Sequence, residues 1–123
     1  MNFSLDKTEH YTLLKTNLKS LDQNQAEELT AMVKQVLEKE ACKYLILNFE
    51  TVLECNAAAV RELITLGIYL NQQGGLLIIS NPHGQFTRLF DKAEIIFVPS
   101  DTEAIDYVFM DQLEKLISDS EEE

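Results

Sequence analysis

The clearest pattern in the chain runs from Tyr44 to Leu70. It opens on an unbroken apolar stretch, Tyr44 to Phe49, short enough for a strand of a parallel sheet buried on both faces. A polar turn, Glu50 to Cys55, follows, and then Asn56, whose amide oxygen suits an N-cap. Beyond it the apolar positions Val60, Leu63, Ile64, Gly67 and Ile68 recur at helical spacing. Strand, turn and capped helix form the first half of a βαβ unit. In such sheets the exposed functional surface lies at the carboxyl ends of the strands, which directs attention to the turn before the helix.

The same reading extends both ways. Phe3 and Leu5, then Tyr11, Leu13 and Leu14, suggest a hairpin-like strand pair, although the turn near Lys7 to Glu9 has no Asn-Gly or Gly-Gly step. Asp22 with Gln25 is a capping box, and opens a helix to about Lys39 with Ala26, Leu29, Met32, Val33, Val36 and Leu37 on one face. Gly74–Gly75 ends the central helix before a second apolar run, Leu76 to Ile79, expected to lie parallel to the first. Asn81 as N-cap and Pro82 at the first helical position predict a short helix to about Asp91, with Phe86, Leu89 and Phe90 inward. Ile95 to Val98 form a further strand, closed by Pro99. Ser100 with Glu103 caps a last helix to about Ile117, for which Ala104, Ile105, Val108, Phe109, Leu113 and Leu116 are the expected buried stripe. The fold expected is α/β: a mixed, mostly parallel sheet of about five strands with about four helices packed on it.

Composition narrows the class. A chain of 123 residues with 46% hydrophobic content makes one domain, read as 1–117, followed by an acidic flexible tail, 118–123. No run approaches the roughly 20 apolar residues of a membrane span, and the N-terminus lacks a basic and apolar leader, so the cytoplasm is the expected compartment. The net charge of −11 disfavours nucleic acid and anionic membrane as partners, and favours a protein partner. Cys42 and Cys55 are too few for a disulfide framework.

Candidate chemistry is sparse. His10 falls in the N-terminal strand pair and His83 in the first turn of a short helix, neither beside a nucleophile. Glu54, Cys55 and Asn56 are too few and too mixed for a metal site. Cys55 precedes a helix cap, which can activate a thiol, but Glu50 and Glu54 oppose that, so it reads as a half-buried turn residue. Gly74–Gly75 lacks the spacing of a phosphate cradle, and Glu50, Glu54, Asp91 and Asp101 read as solvated charges near the strand ends. No catalytic residue, metal or cofactor is expected.

The ordered set of segments resembles the STAS domain family, the sulfate-transporter and anti-sigma-factor-antagonist fold. The likeness is carried by Leu45 to Val52, by ECNAAAVRELITLGIYL, by LLIIS after Gly-Gly, by Asn81 to Ala93 with its R-L-F-D run at Arg88 to Asp91, and by IIFVPSDTEAI. In bacterial antagonists of that family the turn before the central helix reads D-S-S-G or D-[ST]-x-G, and its serine or threonine is phosphorylated by a kinase that is also the anti-sigma factor. The matching positions here are Asn56, Ala57, Ala58 and Ala59, so the acceptor position is Ala57 or Ala58 and carries no hydroxyl. Thr51, at the expected strand end, is a poor substitute acceptor. The resemblance implies a non-catalytic regulatory module that binds a kinase-like anti-sigma factor through Glu54, Cys55, Asn56, Ala57, Ala58, Ala59 and Arg61, without phosphorylation there. The alternative it implies is an accessory STAS subunit of a transporter ATPase complex.

Overall fold

The computed structural model describes residues 3–84, 86–89 and 95–121. Five strands form one sheet in the order β1-β2-β4-β6-β7: β1 (Phe3–Lys7), β2 (Thr12–Thr16), β4 (Tyr44–Asn48), β6 (Leu76–Ser80) and β7 (Ile95–Val98). Only β1 runs antiparallel to its neighbour; β2, β4, β6 and β7 are parallel, with Leu45 opposite Leu77 and Ile46 opposite Ile78. The mixed, mostly parallel sheet is therefore as expected. The hairpin closes without glycine because Thr8 builds the turn: its hydroxyl oxygen accepts from the backbone N–H groups of His10 and Tyr11, each at 3.1 Å.

Each parallel strand is apolar on both faces because helices cover both. On one side α1 (Gln23–Leu37) and α2 (Ala57–Gln72) lie on Leu14, Leu45, Leu47, Leu77 and Ile79. On the other, α4 (Asp101–Glu121) sets Ala104 and Val108 against Leu13, Ile46 and Ile78. Asp22 and Gln25 form the capping box reciprocally. The apolar face of α2 is rotated from the expected one: Leu66 and Leu70 are buried and Ile68 is exposed.

Three expectations need correcting. Asn81 is not an N-cap; it takes a positive φ of 55° in a bend, and α3 begins later as a single turn, Phe86–Leu89. Phe86 does point inward, 1% exposed, whereas the Leu89 side chain, Phe90 and Asp91 lie outside the described residues. Second, two short strands went unanticipated: β3 (Ser20–Leu21) and β5 (Glu54–Cys55) pair in parallel beside the start of α2. Third, α4 runs on to Glu121, beyond the expected end near Ile117, and its supposed inner stripe is only half covered. Ala104 and Val108 are fully buried, but Phe109, Leu113 and Leu116 are 44%, 56% and 66% exposed.

The second half of α4 is held to the sheet by polar contacts instead. The Tyr44 hydroxyl donates to Asp111 at 2.6 Å, while the Lys115 ammonium donates to Tyr44 Oη at 3.0 Å and to the Gly74 carbonyl at 2.7 Å. Burial, reinforced by the bond to Asp111, raises the Tyr44 pKa above its ordinary value of 10.0. Burial acts downward on Lys115, but its bonds to Tyr44 and Asp111 outweigh that and leave its pKa raised. Two groups with raised folded-state pKa values contribute stability that is complete below their unfolded values and lost as pH climbs through the folded ones. The chemical-denaturation midpoint is thus expected to hold to about pH 9 and fall above about pH 10. Tyr44→Phe should shrink that alkaline fall; an unchanged profile would remove the network from the account.

Candidate functional site

The turn before α2 is built from two chain segments that cross. Leu53 and Glu54 donate their N–H groups to the Lys19 carbonyl at 2.7 and 3.3 Å, and Asn56 donates to Leu21 at 3.2 Å. The Thr51 hydroxyl reaches the Thr16 and Leu18 carbonyls at 2.9 and 2.8 Å. The β2–β3 link therefore fixes the turn from one side, and Thr51 acts as its tie. On the other side the Asn56 side chain accepts from Ala59 N at 2.8 Å, as an N-cap should. Asn56→Ala is expected to cost about 1 kcal/mol in thermal or denaturant unfolding, the usual loss for an N-cap.

The candidate residues separate by depth. Glu54, Asn56, Ala57 and Arg61 are exposed, and Cys55 and Ala58 are partly so. Ala59 is 0% exposed and packs in the core with Val60, so it does not join the surface, contrary to its expected place among the partner-binding residues. Leu53, 47% exposed, stands beside Glu54 and was missed by sequence reasoning. Its signal was a leucine next to Val52 in a short turn, where only one of the two can be buried. The exposed or partly exposed residues are thus Leu53, Glu54, Cys55, Asn56, Ala57, Ala58 and Arg61, with small side chains at the centre.

Burial pushes the Cys55 thiol up to about 11, so at neutral pH it is protonated and a weak nucleophile. The His83 Nε2 lies 3.1 Å from the Glu50 carbonyl oxygen, at the start of the same turn. Among the described residues no group of three or more His, Cys, Asp or Glu side chains is arranged to hold a metal ion.

At the carboxyl ends of the central strands lies a polar cluster. Asn48 and Ser80, both buried, donate to the Asp101 carboxylate at 2.9 and 2.5 Å, and the Lys15 ammonium is 3.5 Å from it. Asp101 is therefore no solvated charge. It opens α4 where a carboxylate favours the helix dipole, and it satisfies two buried donors. Asn48 also accepts from Glu50 N at 2.8 Å, which sets the first residue of the turn. The cluster is a hub that positions the turn.

The STAS domain family model matches residues 4–104. The chain belongs to the STAS domain family. Solved structures with this fold include the anti-sigma factor antagonist SpoIIAA in its unphosphorylated form, at 22% identity and TM-score 0.70, covering 87% of this chain and 97% of that one. A variant of RsbS from Moorella thermoacetica aligns at 13% identity and TM-score 0.71, over 88% of this chain and 95% of that one. The murine Solute Carrier 26 anion transporter, inward-facing, aligns at 14% identity and TM-score 0.68, covering 85% of this STAS chain but 18% of the transporter. At such identities the likeness establishes a common fold. No curated protein matches the chain significantly. Among the described residues no helix is long and apolar enough to cross a membrane.

Proposed function

We propose that this STAS domain is a non-catalytic regulatory module that binds a protein partner through the turn and first turn of α2, using Glu54, Cys55, Asn56, Ala57, Ala58 and Arg61. The observation that carries the reading is the Asn56-capped helix start, which presents Ala57 and Ala58, the residues that the resemblance matches to the phosphorylated position of family antagonists. Small side chains on a fixed backbone let a partner approach closely at little entropic cost. With no hydroxyl at either position, phosphorylation does not control this contact, and the module is constitutive or takes another input. Similarity in fold to SpoIIAA supports a kinase-like anti-sigma factor as the partner class. The protonated Cys55 thiol supports a binding role over catalysis at this turn.

A second reading, an accessory subunit of a transporter ATPase, draws support from the occurrence of the same fold within an anion transporter. Affinity purification from native cells, wild type beside Ala58→Glu, with partners identified by mass spectrometry, separates the two. A kinase-fold protein captured by the wild type and lost by the variant is the expected result. Capture of an ATPase component would favour the second reading, and retention of the partner by the variant would remove the turn from the interface.

A further inference from the structure

α4 carries a second surface, remote in the fold from the turn before α2. Phe109, Met110, Leu113, Leu116 and Ile117 are 44%, 62%, 56%, 66% and 48% exposed. At 3.6 residues per turn they fall within an arc of about 120°, roughly opposite the face that buries Ala104 and Val108. A helix that is apolar on two opposite faces normally has both covered. Here one is covered by the sheet, and the other is an unbroken apolar stripe about two turns long.

The edges of the stripe say what fits it. Glu103, Asp106 and Glu114 are exposed along it or at its N-terminal end, and none forms an ion pair among the described residues. The single basic residue of α4, Lys115, is turned inward onto Tyr44, Asp111 and Gly74. Leu116 also borders a shallow, open cleft of about 310 Å³ whose lining is mixed, with Ala41, Cys42 and Tyr44 beside Lys43, Gln112 and Lys115. A second copy of this chain would bring acid against acid, with −11 on each molecule. An anionic lipid surface is opposed by the same field.

We infer that the outer face of α4 docks an amphipathic helix of a partner protein, apolar along one face and flanked by lysine or arginine. The apolar face covers Phe109, Leu113, Leu116 and Ile117, and the basic flanks meet Glu103, Asp106 and Glu114. This contact is separate from the one proposed at α2 and stands or falls without it.

The test uses the full chain and two fluorescent peptides of about 18 residues with the same leucine stripe, one flanked by lysine and one by glutamate. Fluorescence anisotropy is expected to show the lysine peptide binding at least about tenfold tighter, with an affinity that falls as salt rises. Leu113→Ser and Leu116→Ser should each weaken it about tenfold, and Glu114→Lys should weaken it while leaving the apolar stripe intact. These positions are exposed, so circular dichroism should report an unaltered fold. Equal binding of the two peptides, or binding unmoved by the leucine substitutions, would overturn the proposal. So would a wild-type dimer in sedimentation velocity that Leu113→Ser converts to monomer, since the occupant would then be a second copy.

Discussion

Gly75→Ala is expected to cost about 3 kcal/mol or more in denaturant unfolding, a large fraction of the roughly 5–15 kcal/mol that holds an ordinary domain together. A Cβ built on Gly75 would lie 1.8 Å from the Lys43 carbonyl oxygen and 2.3 Å from its carbon. Both are backbone atoms, so no side chain can swing aside. Lys43 immediately precedes β4, and its carbonyl accepts from Leu76 N at 3.3 Å at the point where β4 and β6 begin to pair. Relief of the clash therefore has to open the central strand pair. The neighbouring glycine supplies the control. Gly74 has open space around its missing Cβ but a φ of 84°, so Gly74→Ala should cost only about 1–2 kcal/mol, the strain of a left-handed alanine. Equal costs at the two positions would mean that the close approach to Lys43 is not what Gly75 serves.

Those two glycines were legible in the sequence as a helix stop, but the reason for the second was not. A stop needs one residue at positive φ, and Gly74 provides it; the close approach of Gly75 belongs to a neighbour distant in sequence. The same division runs through the molecule. The apolar runs of β4, β6 and β7 were readable because burial on both faces leaves a continuous signal. The capping residues Asp22, Asn56 and Ser100 were readable because a cap is local: Ser100 Oγ accepts from Glu103 N at 3.2 Å. The β3–β5 pair was invisible, since two residues per strand carry no alternation and their partner lies far along the chain. Periodicity showed that α4 is amphipathic. It could not say that the sheet covers Ala104 and Val108 and leaves Phe109, Leu113 and Leu116 outside.

At the candidate site the limit was sharper still. Four consecutive residues, Asn56 to Ala59, were assigned to one surface, yet helical geometry turns each by about 100° from the last. Ala59 consequently faces the core at 0% exposure while Ala57 faces solvent. Alanine has no polarity with which to announce its side. Asp101 was misread for a related reason: its acceptor role depends on Asn48 and Ser80, which only the sheet brings to it.

That difference in depth gives the largest effect expected on binding. Ala58→Glu should weaken partner affinity by about 2–5 kcal/mol, the usual range when a charge is left buried and unpaired at an interface. The substitution should not unfold the domain. Ala58 is only partly buried, and α2 has no acidic residue in its first turn, so a carboxylate there gains about 0.3–1 kcal/mol from the helix dipole. Loss of binding with an equal or slightly higher unfolding midpoint is thus the expected pair of results. Ala58→Gln adds similar bulk without charge, and should fall between wild type and Ala58→Glu in isothermal titration with the captured partner. Ala59→Glu gives the opposite signature, since a carboxylate forced into the hydrophobic core lowers the midpoint steeply and abolishes binding only through unfolding. Were Ala58→Glu to bind as tightly as wild type while remaining folded, the partner would not touch the first turn of α2.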